Sequence, residues 1–227
     1  MEKDRIKHVY DAYLKDEKII QKWSSLNIGN QIISEQRYYM LQDLLKKNNT
    51  SFKKKNILDL GCASGNLMKL LINLGANEKN ISGIDIRDSS ILNAKRRYPK
   101  AHFNMMDARI LTYENNTFDC IISFTLLSSV LGFDNRKRII NEAMRVLKPN
   151  GFIIYYDMRY NNPFNNNIVG INKKELSKLF TNMKLDLNLL TIVPPVARRL
   201  GFLTKFLYPQ ISKISLFNSH YMFLVKV

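Results

Sequence analysis

Apolar residues recur with two different periods along this chain of 227 residues. Up to about residue 50 they are spaced by three or four positions, which predicts two amphipathic helices joined by a loop at residues 23–30, with Gly29 as a turn residue. From Lys55 onward, short apolar runs alternate with helical patterns. This alternation predicts an α/β fold, in which right-handed crossovers build a mostly parallel sheet.

The helical patterns in this second part of the chain have clear ends. We expect helices at residues 65–73, 89–98, 135–147 and 172–180. The first three stop close to Gly75, Pro99 and Pro149, residue types that interrupt helices. The last two strands are expected at residues 184–193 and 220–227.

The most informative stretch is Asn-Ile-Leu-Asp-Leu-Gly-Cys-Ala-Ser-Gly-Asn at residues 56–66. It predicts a strand, a glycine-bearing turn and a helix N-terminus, whose free N–H groups and dipole can hold a polar ligand. A second apolar strand at residues 81–86 ends with Asp85 and Ile86, and Asp85 lies 20 residues past Gly65. An acid at this position can accept hydrogen bonds from ribose hydroxyls. The two strands together predict a site for a nucleotide-like cofactor.

The glycine spacing indicates which cofactor is bound. A dinucleotide fingerprint needs glycines at positions 61, 63 and 66, where this chain has Gly61, Ala63 and Asn66. The chain instead has Asp59-x-Gly61-x-Ala63-x-Gly65, which resembles the first motif of class I S-adenosylmethionine (SAM)-dependent methyltransferases with alanine as the middle residue. Alanine is acceptable there if it keeps a negative φ, which we therefore expect for Ala63.

Later segments resemble the same family in the same order. Residues 102–108, which include Asp107 and Ala108, are similar to its third motif, residues 118–124 to its fourth strand and residues 145–152 to the turn before its fifth strand. The resemblance implies a Rossmann-like methyltransferase fold: a doubly wound, seven-stranded, mostly parallel sheet whose last strand is antiparallel and lies between the fifth and sixth. It also implies SAM as the cofactor and S-adenosylhomocysteine as the product.

The resemblance also assigns the residues around the cofactor. It implies that Gly61, Cys62, Ala63 and Gly65 line SAM, with Asp59 and Asp85 as its acids, that Asp107 receives the adenine amino group, and that Ser123 and Phe124 lie beside the methionine moiety. Tyr13 resembles a tyrosine that closes over SAM from an N-terminal helix. Alternatives remain open for three of these assignments: turn glycines without a ligand, an N-cap role for Asp85, and simple packing of Tyr13.

The acceptor is expected at the end of the fifth strand, because ligands bind beyond the carboxyl ends of parallel strands. Asp157, Arg159 and the Asn-rich loop 161–167 occupy that position, and an antiparallel last strand would bring His220 close to them. His220 is the candidate general base for an acceptor that must lose a proton. The alternative for His220 is a strand-edge histidine bonded to a loop. Asp157 could orient His220, pair with Arg159 or cap a loop.

Residues 194–218 join the last two strands at the same edge and are expected to cap the pocket. They contain four basic residues and no acid, with Val196, Leu200, Leu203 and Leu207 on one helical face before Pro209. This segment is either a surface helix packed by its apolar stripe or a lid that selects an anionic or amphiphilic acceptor. The chain is thus expected to be one domain of residues 1–227, with a helical cap (1–50), a SAM-binding core (51–160) and an acceptor side (161–227).

Composition and charge add little to this assignment. The net charge is +16, from 35 basic and 19 acidic residues, which favours anionic partners or reflects a lysine-rich coding bias. A first segment without an apolar core and only two cysteines, both in predicted core elements, favour the cytoplasm. The three histidines and two cysteines have no metal-ligand spacing, so no metal is expected.

We therefore predict an enzyme that methylates a small molecule, at oxygen slightly more readily than at nitrogen. The acceptor could be anionic, sugar-linked or lipid-linked, and the basic lid could make a peripheral membrane contact. A nucleic acid acceptor is less favoured, because amino-base methylases carry Asn/Asp-Pro-Pro-aromatic after the fourth strand, where this chain has Ser123-Phe-Thr-Leu. The one-proline string Asn162-Pro-Phe follows the fifth strand instead. An RNA methyltransferase and a non-catalytic SAM-binding protein are the alternatives.

Overall fold

A seven-stranded sheet forms the centre of the molecule. The computed structural model describes residues 2–163 and 165–227, without the side chain of Phe202. The strands are β1 (Ile57–Leu60), β2 (Ile81–Asp85), β3 (His102–Met105), β4 (Phe118–Phe124), β5 (Leu147–Met158), β6 (Asn188–Ile192) and β7 (Asn218–Lys226). Their order in the sheet is β3-β2-β1-β4-β5-β7-β6. Neighbours from β3 to β5 pair in parallel, and β7 is antiparallel to both β5 and β6. The predicted fold class, including the antiparallel last strand, is confirmed.

Helices cover both faces of this sheet. They are α1 (Glu2–Tyr13), α2 (Glu17–Lys22), α3 (Ile28–Lys47), α4 (Met68–Asn73), α5 (Asp88–Arg97), α6 (Phe133–Val146), α7 (Lys173–Leu179), α8 (Pro194–Arg199) and α9 (Thr204–Ile211). Successive strand residues point to opposite faces. Leu58 and Ile153 pack in one cluster with α6 and α7, whereas Ile57 and Ile154 pack in another with α3, α4 and α5. The central strands are apolar because both faces of the sheet are covered.

The N-terminal region contains three helices rather than the predicted two. Asp16 accepts hydrogen bonds from the N–H groups of Lys18 and Ile19, so its side chain starts the extra helix α2. The prediction that Gly29 is a turn residue is wrong, since Gly29 lies inside α3. A Cβ at Gly29 would be 2.3 Å from the carbonyl oxygen of Ala197, so its missing side chain allows α3 and α8 to pack closely.

Helix α4 begins at Met68, three residues later than the predicted helix at 65–73. The backbone before it passes through positive φ at Gly61, Ala63 and Gly65, and residues in that conformation cannot belong to a right-handed helix. The turn after β1 therefore contains three residues with positive φ and is not the N-terminus of a helix. The other helices and β4 lie within about two residues of their predicted positions.

The segment 194–218 is divided into α8, two short 3₁₀ turns and α9, and Pro209 lies inside α9. The predicted packing of its apolar stripe is wrong. Val196, Leu203 and Leu207 are exposed, whereas Ala197, Thr204 and Tyr208 are buried against the rest of the protein. In the described part of the chain, every helix is too short or too polar to cross a membrane.

Candidate active site

A cavity of about 250 Å³ opens beyond the carboxyl ends of strands β1 to β4. Among its lining residues are Gly61, Cys62, Ala63, Asp85, Ile86, Asp107, Ala108 and Phe124, all predicted from the sequence. Thr125, at the predicted end of the fourth strand, also lines the cavity as expected. Other lining residues were not predicted from the sequence, among them Lys3, Ile6, Tyr10, Arg37, Asn66, Arg87, Arg109, Leu126 and Ser129. The predicted site residues Tyr13, Asp59, Gly65 and Ser123 do not line it.

The turn after β1 forms one wall of the cavity. Its middle residue Ala63 has φ of 47°, so the expected negative φ is wrong. The N–H of Ala63 donates a hydrogen bond to Oδ2 of Asp85 (3.0 Å), which ties the turn to the end of β2. This bond gives a physical reason for the left-handed conformation of a non-glycine residue at the site.

Ala63→Gly should stabilise the protein by about 1 kcal/mol, because glycine adopts positive φ without strain. Urea unfolding measures this change. Ala76→Gly is the matched control, since Ala76 is buried and does not have positive φ. The same substitution there should destabilise the protein by about 1 kcal/mol. Equal losses from both variants would contradict the left-handed turn.

Asp85 lies at the end of β2 with its carboxylate facing three backbone or side-chain donors. Besides the bond from Ala63, Oδ1 accepts from the backbone N–H (2.9 Å) and from Nε (3.3 Å) of Arg87. The guanidinium of Arg87 lies 5.1 Å from the centre of the Tyr10 ring. These contacts fix the carboxylate at the cavity wall and leave it lone pairs for further donors.

Asp107 and Arg109 form a second acidic corner, just after β3. Nη2 of Arg109 donates to Oδ2 of Asp107 at 2.7 Å, and the backbone N–H of Arg109 donates to Oδ1 at 3.0 Å. Burial raises the pKa of Asp107, but the hydrogen bonds and charge of Arg109 outweigh it, so the pKa lies below its usual value. Asp107 is therefore an ionised acceptor beside the cavity.

Asp59 lies beneath this cavity at the end of β1 and is 1% exposed. Both of its carboxylate oxygens lack a hydrogen-bond partner in the described residues. Burial, and then the charge of Asp85, raise its pKa to about 7. The raised pKa favours the uncharged form, which lowers the cost of burying this acid without a donor.

The contribution of Asp59 to the stability of the ligand-free protein should fall as pH rises from about 4 to about 7, in the direction opposite to the contribution of His220, whose lowered pKa adds stability as pH rises. Over that range the folded protein keeps a proton on Asp59 that the unfolded chain has lost, so raising the pH favours unfolding. Asp59→Asn should flatten this dependence and be the more stable protein at pH 8, by on the order of a few kcal/mol, since one unit of pKa is about 1.4 kcal/mol. Urea unfolding at several pH values measures it. Parallel curves for the two proteins would contradict the raised pKa.

Arg37 supplies a positive group to the cavity wall, with its guanidinium 5.7 Å from the centre of the Tyr156 ring. Its Nε is buried without a hydrogen-bond partner, and no acid within residues 2–163 and 165–227 pairs with it. Arg87 and Arg109, in contrast, are paired with Asp85 and Asp107. Arg37 is thus an arginine of the wall whose charge is available to an anionic group.

Helix α1 forms the roof. Tyr10 and Ile6 line the cavity, and the hydroxyl of Tyr10 lies 2.6 Å from Oγ of Ser129. Nη2 of Arg5 donates to the carbonyl oxygen of Ser129 (2.7 Å), and the N–H of Leu131 donates to Oε1 of Glu2 (2.7 Å). Tyr13 instead contacts Asn165 at 3.0 Å and the ring of Trp23. The roof is therefore held by the loop after β4, and Tyr10 occupies the position predicted for Tyr13.

The residues predicted around the acceptor lie outside this cavity. Asp157 is fully buried and accepts from the N–H groups of Ser128 (3.1 Å) and Met158 (2.8 Å). Burial raises its pKa to about 6, although these bonds act in the opposite direction. Nη1 of Arg159 donates to the carbonyl oxygen of Ser215 (3.2 Å). Residue 164 of the predicted acceptor loop lies outside the described residues.

His220 comes close to these residues, as the antiparallel last strand predicts. It is paired with Met158 across β5 and β7, and the N–H of Arg159 donates to the carbonyl oxygen of Ser219 (2.9 Å). The imidazole stacks on Tyr156 with ring centres 4.7 Å apart, and its Nδ1 lies 2.8 Å from Oγ of Ser219. Burial, and then the charge of Arg37, lower its pKa to about 3. Its catalytic role stays a prediction.

The described residues of the predicted lid, 194–218 without the side chain of Phe202, are absent from the lining of the cavity. Nor does any group of three or more His, Cys, Asp or Glu among the described residues lie close enough together to hold a metal ion. Cys62 and Cys120 are buried free thiols, and burial raises the pKa of both.

The sheet order and the cavity beyond the carboxyl ends of β1 to β4 match the fold of class I SAM-dependent methyltransferases. Residues 57–151, which are 95 of the 227 residues, match the family model described as a methyltransferase domain. Ubiquinone biosynthesis O-methyltransferase from Coxiella burnetii is 30% identical over 115 residues, which are 49% of this chain and 47% of that protein. The chain spans about half the length of such curated relatives.

Solved structures show the same fold. A SAM-dependent methyltransferase from Methanosarcina mazei has a TM-score of 0.58 and 21% identity, over 80% of this chain and 96% of that one. The cyclase SpnF has a TM-score of 0.60 and 15% identity, over 83% of this chain and 80% of its own. The fold is thus shared with proteins whose names give different reactions.

The residues around the cavity fit SAM, the cofactor of this family. SAM carries ribose hydroxyls, a carboxylate, an ammonium and a sulfonium. Asp85 offers the acceptor that a ribose needs and Arg37 the cation for a carboxylate, whereas Asp59 does not line the cavity. When bound, SAM supplies an activated methyl group.

Proposed function

We propose that this protein transfers the methyl group of SAM to a small-molecule acceptor, at oxygen more readily than at nitrogen. The observation that carries the proposal is the roof of the cavity, formed by Tyr10 and Ile6 of α1. A cavity covered by a helix favours an acceptor small enough to enter it, rather than a folded nucleic acid. The name of the Coxiella burnetii relative supports oxygen as the receiving atom.

The proposed acceptor is anionic, sugar-linked or lipid-linked, and a lipid-linked acceptor would be met at a membrane through the lid. The walls contribute both polar and apolar surface: Phe124, Leu126 and Val130 are apolar, whereas Thr125, Ser129 and Tyr10 carry hydroxyls. Such a mixture suits an amphiphilic molecule.

In this proposal the chain acts mainly by orientation. Asp107 and Arg37 would hold the two ends of the cofactor and Asp85 its ribose. Phe124 and Thr125 border the space where its methyl group would meet the acceptor. Holding two reactants in line can supply several kcal/mol of the barrier. Thr125 is kept in position at φ of 56° by its N–H, which donates to the carbonyl oxygen of Tyr156 (2.7 Å).

His220 is better explained as a packing residue than as the base. Its ring lies outside the cavity, stacked on Tyr156. We expect His220→Gln to lower the melting temperature and to change kcat by less than about tenfold, with unchanged SAM affinity. A fall of about 10²-fold in kcat without loss of folding is the result for a general base, and it would restore the predicted role.

Transfer of labelled methyl from SAM into a fractionated host extract tests the proposal, with Asp85→Ala as the blank. Label in the small-molecule or lipid fraction supports it. Label in nuclease-sensitive material identifies an RNA or DNA methyltransferase instead. SAM binding without any labelled product favours a protein that binds SAM without catalysis or that catalyses another reaction. SpnF, which shares the fold, is named a cyclase.

A further inference from the structure

Helix α9 has its apolar side turned to solvent. Leu203, Phe206 and Leu207 lie at helical spacing on one face and are 43%, 71% and 39% exposed. The inner face carries Thr204 and Tyr208, which are buried, and Tyr208 packs with Ile33, Ile192 and Ala197, with Ile211 against them. A surface helix of a globular protein normally has one apolar side, which is covered, whereas α9 has a second apolar side that stays exposed.

Polar bonds fix the helix in this orientation. Oγ1 of Thr204 donates to the carbonyl oxygens of Ala197 (3.1 Å) and Gly201 (2.6 Å). The hydroxyl of Tyr208 donates to Oε1 of Gln36 (2.7 Å) and accepts from the N–H of Ile192 (3.2 Å). Because the inner face makes specific bonds to α3, α8 and β6, a rotation that buries Phe206 would break them.

Exposed apolar residues continue along the chain after α9. Ile214 and Leu216 follow it and are exposed, the latter by 70%. Leu26 lies next to Asn27, whose Nδ2 donates to the carbonyl oxygen of Arg198 (3.4 Å), so Leu26 adjoins the C-terminal end of α8. We call Leu203, Lys205, Phe206, Leu207, Lys213, Ile214 and Leu216 the outer lid face. Large exposed apolar patches mark interaction sites.

The charges of this region have one sign. No aspartate or glutamate occurs in residues 187–227. Lys205 and Lys213 are exposed among the apolar residues of the outer lid face, and Arg199 is exposed one turn before it. A partner that offers both apolar depth and negative charge therefore complements this surface.

We propose that the outer lid face docks onto an anionic lipid bilayer. Phe206, Leu207 and Leu216 would enter the boundary between headgroups and acyl chains, while Lys205 and Lys213 remain at the level of the phosphates. The docking itself is independent of methyl transfer. Only its use, the delivery of a membrane-resident acceptor, rests on the proposed function.

Cosedimentation of the full chain with vesicles tests the docking. We expect binding to vesicles of which about a third is phosphatidylglycerol, and at least tenfold weaker binding to pure phosphatidylcholine. Phe206→Ser/Leu216→Ser and, separately, Lys205→Glu/Lys213→Glu should each weaken binding to the anionic vesicles about tenfold or more. All of these residues are exposed, so circular dichroism and melting should match the unsubstituted protein.

Matched variants distant from the lid serve as controls. Leu92→Ser/Met105→Ser removes two exposed apolar residues, and Lys95→Glu/Arg96→Glu reverses two exposed charges of α5. These variants should bind like the unsubstituted protein. Equal losses in the control and lid variants, or no vesicle binding at all, would overturn the proposal. The proposal would also be overturned if the unsubstituted protein is a dimer and a lid variant is a monomer, because the outer lid face would then be the contact between two copies of the chain. A protein that does not bind vesicles could still transfer methyl groups to a water-soluble acceptor. The test therefore distinguishes failure of the membrane docking from failure of the proposed methyl transfer.

Discussion

Asp85→Ala is expected to weaken SAM binding by roughly 1–3 kcal/mol, which is about 5- to 150-fold in the dissociation constant. The carboxylate lies at the cavity wall, where it accepts bonds from Ala63 and Arg87 and can still accept from ribose hydroxyls. Removing it eliminates charge-assisted hydrogen bonds to the cofactor and frees the turn at Ala63. Isothermal titration calorimetry with SAM measures the change.

Asp88→Ala is the matched control, because this acid is three residues further along and exposed. It should leave SAM affinity unchanged. The substitution at Asp85 also leaves Arg87 without its partner, so melting curves of both variants must show a folded protein at the titration temperature. Unchanged affinity in folded Asp85→Ala would refute the assignment of the ribose site.

Arg136→Met should destabilise the protein by about 3–5 kcal/mol, the usual cost of breaking a buried ionic contact. Arg136 is 3% exposed, and its Nε donates to the carbonyl oxygens of Leu127 (2.9 Å) and Val130 (2.8 Å). Its Nη1 also lies 2.7 Å from Oε1 of Glu175. Methionine has a similar length but donates no hydrogen bond, so these oxygens lose the donor Nε, and the carbonyl oxygen of Leu127 keeps only the bond from the N–H of Val130 (3.1 Å). Urea unfolding measures the loss.

The same substitution should also weaken SAM binding, because the loop held by Arg136 carries Ser129 and Val130 of the cavity wall. Arg138→Met is the control, since Arg138 is exposed on the same helix and should change stability by less than about 0.5 kcal/mol. A similar small effect for Arg136→Met would show that the loop after β4 is held by other contacts.

The sheet and the acids of the cofactor site were predictable because their signals are local. The strand that ends in Asp59 and the one that ends in Asp85 are short apolar runs with a glycine turn between them, and a β-α-β unit brings such ends to one edge. The conformation of Ala63 was not predictable in this way. Its positive φ depends on the bond to Asp85, a contact between two separate segments.

Which side of a helix reaches the cavity depends on how the helix docks. Tyr10 and Tyr13 share a face of α1, so helical spacing alone cannot separate them, and the contacts of α1 with Ser129 bring Tyr10 to the wall. The sequence pattern does contain a sign that Arg37 has a polar function. Arg37 lies four residues from both Ile33 and Leu41, which are buried, and an arginine within an apolar stripe indicates a polar function.

The lid shows the limit of periodicity most clearly. The spacing of Leu203 and Leu207 correctly indicates one helical face, but the usual assumption that an apolar face is buried fails. The inner face is chosen instead by the bonds of Thr204 and Tyr208 to distant residues. Only tertiary contacts could reveal that this face is left for a partner.

A crystal structure of the protein with S-adenosylhomocysteine tests the proposed cofactor site most directly. We expect adenine beside Asp107 and Ala108, the ribose hydroxyls within hydrogen-bond distance of Asp85, and the carboxylate of the homocysteine moiety at Arg37. A ligand bound elsewhere, or bound in this cavity with its ends reversed, would contradict the proposed site.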